Sequence, residues 1–282
     1  MTTIHGATEL PSFLYGTAWK EERTAGLVEL ALQQGFRGID TANQRKHYFE
    51  AAVGEAIARV IAAGTVRREE LFLQTKFTHQ PGQDQRLPYD PAAAIGEQVR
   101  QSFASSLEHL RTNYLDSLVL HGPSQRPGLA EQDWEAWAAM EALHAEGSVQ
   151  ALGVSNFSHE QLKLLLGRAS VKPRFVQNRC FAVSGWDRQV RQACEANGIT
   201  YQGFSLLTAN QEIWHSRHVA EIGNSHNLFP AQVIFCLAMD LGILPLTGTS
   251  DAGHMAGDLA CKPGVLTSAE VKGLEAIALQ QG

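Results

Sequence analysis

Short apolar runs alternate with longer amphipathic ones along the whole chain, and the alternation repeats eight times. The short runs, predicted as strands, fall at 13–17, 37–41, 71–76, 117–121, 151–155, 175–180, 200–205 and 243–247. Helical periodicity fills the intervals at 24–34, 48–63, 91–110, 133–146, 159–169, 187–197 and 230–241, and again from 252 onward. Strands separated by helices must pair in parallel, because a crossover helix returns the chain to the same edge. Eight such units with no linker between them predict an α/β fold of one domain over 1–282, a single (β/α)8 TIM barrel. Residues 3–10, with Gly6 at the turn, are expected to form a short N-terminal hairpin plugging the barrel floor.

The stripes inside the helices support this. Leu27, Leu30 and Ala31 lie on one helical face, as do Trp134, Trp137, Met140 and Leu143. The large side chains of the second stripe are expected to pack the helix against the barrel. Gly35, Gly147, Gly198 and Gly242 each stand between a helical run and a strand, where a left-handed cap favours a residue without Cβ. Two connections after strands, 77–90 and 206–229, are long enough to overhang the carboxyl face.

Apolar residues make up 44% of the chain, ample for one large core, and the formal net charge is −6. Without a basic cluster, nucleic acid and membrane surfaces are not expected as partners. Cys180, Cys194, Cys236 and Cys261 are too scattered for a zinc or Cys-x-x-Cys site and read as buried free thiols. No leader-like or membrane-spanning run is evident, so a soluble cytoplasmic protein is expected, and a monomer, since a barrel buries its core within one chain.

Three strands end in titratable residues of different kinds: Asp40, Lys76 and His121. In a parallel barrel these ends converge on the carboxyl face, where the chemistry of such enzymes sits. Taken singly, Asp40 could cap a loop, Lys76 could be a solvated strand end and His121 a satisfied core histidine. A Schiff-base role for Lys76 or a metal-dependent reaction would leave other features of the chain unexplained.

The order of motifs resembles the aldo-keto reductases. The carriers are Gly16-Thr17-Ala18-Trp19, Gly38-Ile39-Asp40-Thr41-Ala42, Val53-Gly54-Glu55, Thr75-Lys76, Leu120-His121, Gly153-Val154-Ser155-Asn156-Phe157, Val176-Gln177-Asn178 and Phe204-Ser205-Leu206-Leu207. The resemblance implies a nicotinamide cofactor and reduction of a small-molecule aldehyde or ketone. Hydride transfer to a carbonyl leaves an alkoxide that needs a proton and electrostatic stabilisation. The family's roles fall on Asp40 as carboxylate, Lys76 as ammonium, His121 as the group orienting the carbonyl, and a tyrosine acid whose pKa the lysine would lower. Here the tyrosine's register is ambiguous, because the loop 43–48 carries about two extra residues. Tyr48 is the first candidate and His47 its rival; His47 also stands near the substrate, with Trp19 as an aromatic wall.

The resemblance also implies cofactor contacts. Ser155, Asn156 and Gln177 match the positions that hold the carboxamide, and Phe204 the aromatic that stacks on the nicotinamide. Gly16 and Thr17 would let backbone approach it, with Ser205 and Leu207 along the pyrophosphate. Gly248, Thr249 and Ser250 would cradle phosphate, while His254 and Asp258 stand at the usual arginine and asparagine positions and Leu246 at the usual lysine. NADPH is the family's default, and these replacements make NADH the alternative. Trp186 or Trp214 is expected above a relatively open pocket, since the chain stops after 268–279. A barrel that binds cofactor but senses or scaffolds, with little turnover, is the competing reading.

Overall fold

The computed structural model describes residues 10–279, and the expected hairpin lies, apart from Leu10, outside them. Eight parallel strands close into a barrel in chain order: β1 (Leu14–Gly16), β2 (Gly38–Asp40), β3 (Phe72–Phe77), β4 (Ser117–Leu120), β5 (Leu152–Ser155), β6 (Phe175–Arg179), β7 (Thr200–Phe204) and β8 (Ile243–Thr247). Closure is made by β1 against β8, with Leu14 opposite Leu246 and Tyr15 opposite Thr247. The outer layer comprises α1 (Thr24–Gln34), α2 (Glu50–Ala62), α3 (Ile95–Leu110), α4 (Glu131–Ala145), α5 (His159–Arg168), α6 (Arg188–Ala196), α7 (Gln211–Trp214), α8 (Arg217–His226), α9 (Pro230–Asp240), α10 (Ala252–Leu259) and α11 (Ser268–Leu279).

Strand alternation divides the apolar residues in two. Phe13, Tyr15, Leu71, Leu73, Val176 and Ile243 point outward into one large core shared with the helices. Their neighbours Leu14, Phe72, Phe175, Leu244 and Leu246 form a second, smaller cluster inside the barrel. Side chains two residues apart share a face. Above Phe72 therefore come Gln74 and then Lys76, and above Phe175 come Gln177 and then Arg179. The interior changes along its axis from an apolar floor to a polar upper layer. Phe72 and Phe175 meet edge to face in the floor, ring centroids 5.4 Å apart.

Two glycine positions explain local geometry. Gly35 closes α1 at φ 110°, and Gly242 closes α9 at φ 74°, both in the left-handed region expected of these caps. Gly54 has a different task. A Cβ there would lie 1.9 Å from the His109 carbonyl oxygen, so only glycine lets α2 cross α3 so closely. Along α4, Trp137, Met140 and Leu143 are buried, and the partly buried Trp134 packs on the same core.

The long connection 206–229 is itself partly helical. It holds α7 and α8, and the Ser216 hydroxyl caps α8 by accepting from the Val219 N–H. In α8 only Val219, Ile222 and Gly223 are buried, too short a stripe to announce itself. Trp186 is buried and Trp214 packs on the main core, so neither stands over the pocket. The four cysteines are free and buried. Among the described residues no helix is long and apolar enough to cross a membrane.

Candidate active site

A cavity of about 750 Å³ opens at the carboxyl ends of the strands, a size suited to a small ligand or the reactive end of a cofactor. Asp40 and Lys76 form its base, each almost fully buried. The Lys76 ammonium lies 2.8 and 2.7 Å from the two Asp40 oxygens and donates to the Thr41 carbonyl at 2.8 Å. Burial opposes the charge on Lys76, but Asp40 and Tyr48 outweigh it, so its pKa is raised and it stays an ammonium.

Tyr48 faces this pair. Lys76 Nζ lies 5.1 Å from the Tyr48 ring centroid. Burial raises the Tyr48 pKa and the nearby Lys76 pulls it back down. The cation thus offsets burial here; it does not carry the phenol below its ordinary range, as the sequence reading expects. His47 turns away, its ring 4.1 Å from the exposed Trp19 in a tilted stack. Both line the cavity.

The extra loop residues explain why the register was ambiguous. The N–H groups of His47 and Tyr48 both bond the Gln44 carbonyl, closing a tight turn. Gln44 is tied down through its Nε2 to the Gly82 carbonyl at 2.6 Å. Arg45 and Lys46 bulge outward, Arg45 pairing with Glu21.

His121 lies across from Tyr48, ring centroids 5.9 Å apart. Its Nδ1 shares a 2.7 Å hydrogen bond with the Thr78 hydroxyl. Burial, with the positive charge of Lys76 second, lowers its pKa well below the usual histidine value, so the ring is neutral at pH 7. Thr78 was not anticipated, although its place two residues beyond Lys76 was visible.

The cofactor candidates separate into two groups. Gly16, Ser155, Asn156, Gln177, Phe204, Ser205, Leu207, Gly248 and Thr249 line the same cavity as Tyr48 and His121. Asn156 takes a positive φ of 59° and donates through Nδ2 to the His121 carbonyl at 2.8 Å, fixing both on the rim. Arg179 stands beside Phe204, its guanidinium 5.7 Å from the ring centroid.

The other group lies away from it. Thr17 is fully buried, its hydroxyl donating to the Asp40 carbonyl at 3.0 Å, so its side chain braces β2. Ser250 and His254 are exposed outside the cavity, and the His254 N–H completes the Asp251 cap of α10. Asp258 is buried, accepts from the Thr247 hydroxyl at 2.7 Å, and is pushed by burial to a pKa of about 6. It ties α10 to β8. Lys20, which sequence reasoning passed over, donates to the Gly248 carbonyl at 2.6 Å and puts a cation under the 248–249 turn. Burial lowers its pKa to about 8. It follows the Trp19 motif directly, which was the available signal.

These groups suit the reactive end of a nicotinamide: an aromatic face at Phe204, hydroxyl and amide groups at Ser155, Asn156 and Gln177, and peptide groups above a cation at 248–249.

Comparison with known proteins agrees with this layout. The chain is 31% identical over 247 residues to the uncharacterized oxidoreductase YtbE of Bacillus subtilis, covering 86% of this chain and 80% of that one. It is 29% identical over 245 residues to a glyoxal reductase of the same organism, with the same coverage. Among solved structures, an aldo-keto reductase from a Medee basin deep-sea metagenome library superposes with a TM-score of 0.81 at 22% identity, over 98% of this chain and 93% of the other. A Bombyx mori aldo-keto reductase in complex with NADP gives 0.80 at 21% identity, over 97% and 91%. The sequence profile of the Aldo/keto reductase family matches residues 12–211, well over half the sequence, and the chain belongs to that family.

Proposed function

We propose that this chain reduces aldehydes or ketones to alcohols, with NADPH as the default hydride donor and NADH as the alternative. The observation that carries the reading is the alignment of Asp40, Lys76 and Tyr48 opposite a neutral His121 across one cavity. The cofactor supplies the hydride. Tyr48 supplies the proton to the carbonyl oxygen, and Lys76 stabilises the phenolate left behind. Asp40 keeps the ammonium charged and aimed. His121 shares a hydrogen bond with the Thr78 hydroxyl through Nδ1, and the tautomer that carries its proton on Nε2 polarises and orients the carbonyl without adding a charge.

Gln177 uses both amide N–H groups on Asp40 and Gln202, which leaves its carbonyl oxygen to accept from the nicotinamide carboxamide. The Ser155 hydroxyl is the complementary donor, while Asn156, whose Nδ2 is spent on the His121 carbonyl and Ser155 Oγ, keeps its Oδ1 as a further acceptor. Leu246 and His254 provide no fixed cation for a 2′-phosphate, so discrimination between the two cofactors is weaker than a lysine–arginine grip would give.

Oxidation of NADPH and of NADH by the purified protein with a reactive aromatic aldehyde tests the reading. Turnover with either supports a reductase, and the ratio of rates reports the preference. Cofactor binding without turnover on a broad set of aldehydes and ketones would overturn it in favour of a binding barrel.

A further inference from the structure

Beneath the ion pair lies a layer of three buried glutamines from three strands: Gln74 on β3, Gln177 on β6 and Gln202 on β7. Gln74 donates through Nε2 to Asp40 Oδ1 at 2.7 Å and to Gln202 Oε1 at 2.8 Å. Gln177 donates to the same two oxygens, each at 2.9 Å. Gln202 returns a bond from its Nε2 to Gln74 Oε1 at 3.1 Å. An ionised carboxylate only accepts. Its presence therefore fixes which way Gln74 and Gln177 present their amides, and Gln202 must then receive both with its oxygen. The layer has one consistent arrangement, in which Asp40 Oδ1 accepts from Gln74, Gln177 and Lys76 together.

We propose that Gln74 and Gln202 are positioning residues for carbonyl reduction, holding the Asp40 carboxylate in place so that Lys76 stays aimed at Tyr48. The inference rests on the reductase reading and extends it to residues that touch neither substrate nor cofactor. The aligned amide dipoles supply positive potential below Asp40 that water, excluded by the Phe72–Phe175 floor, cannot. Without them the carboxylate pulls Lys76 toward the barrel interior and the ammonium is withdrawn from Tyr48. Gln202 acts one bond further away, as the common acceptor that keeps both donors turned to Asp40.

The test is steady-state reduction by Gln74→Met and Gln202→Met, which keep side-chain length and remove the amide, each also built on a Tyr48→Phe background. The expected result is at least a roughly tenfold loss of kcat with NADPH affinity, read by fluorescence titration, held within about threefold. On the Tyr48→Phe background the same changes should cost less than about threefold, because the residues act through that hydroxyl. Unchanged kcat overturns the inference. So does a loss that persists undiminished without the Tyr48 hydroxyl, since that would mark mere packing. Should Gln74→Met fail to fold, Gln202→Met carries the same two outcomes. Wild-type turnover in the same assay separates the two levels: normal turnover with unaffected variants removes this inference alone, whereas an inactive wild type removes the reductase reading and this inference with it.

Discussion

Lys76 and Asp40 form a buried bidentate pair, with Nζ 2.8 and 2.7 Å from the two carboxylate oxygens at the mouth of the barrel. Both side chains are almost fully buried, so removing either would leave the other as an uncompensated buried group.

Lys76→Met should therefore do two separable things. Turnover should fall by about a thousandfold or more, since the phenolate loses its counter-charge. Stability should fall by about 3–5 kcal/mol, because Asp40 becomes an unpaired buried anion. Adding Asp40→Leu to Lys76→Met should recover much of the stability and none of the turnover. Urea unfolding beside steady-state kinetics checks both, and recovered turnover in the double variant would remove Lys76 from the chemistry.

Tyr48 and His47 are adjacent in sequence but face different neighbours, Lys76 and Trp19 respectively. Tyr48→Phe should cost about 100- to 10,000-fold in kcat, the usual yield of a positioned general acid. His47→Ala should change kcat by less than about tenfold and act mainly on KM. Reversal of that order would transfer the proton donor to His47.

His121 gives a pH prediction with a definite sign. Its folded pKa lies well below the ordinary histidine value, so the unfolded chain binds more protons as pH falls. Folding stability should then decline below about pH 6.5, by up to about 1.4 kcal/mol per pH unit from this group. His121→Asn should flatten that part of the profile. Urea midpoints at pH 7, 6 and 5 for both proteins give the comparison; parallel slopes would contradict the assignment.

Gly54→Ala places a methyl where the His109 carbonyl already sits. The helices α2 and α3 must separate, which should cost about 1–3 kcal/mol. A melting or urea midpoint within error of wild type would show that the crossing is looser than its geometry.

Much of this was readable in advance because the strands are short, apolar and separated by strongly periodic helices. Asp40, Lys76 and His121 could be found as strand-end residues. Tyr48 could not be separated from His47, since the sequence does not say which way each side chain of a turn faces; in the fold Tyr48 faces Lys76 and His47 stacks on Trp19. Thr17 and Asp258 sit in motif positions, yet backbone geometry buries them as braces. Gln177 was found from its motif, but Gln74 and Gln202 lie within predicted strands with nothing local to show that they face the barrel interior. Only the closed barrel brings Gln74 and Gln202, 128 positions apart, within bonding distance.

The apolar floor has a kinetic consequence. Among the described residues, Phe72 and Phe175 pack the lower end of the barrel, so on the proposed reading Tyr48 exchanges protons through the cavity above it. On that reading, a Tyr48 hydroxyl that has given up its proton under a bound substrate is recharged only after that ligand leaves the cavity. The site is in this sense a single-shot device, reset once per cycle by the same opening through which the alcohol departs.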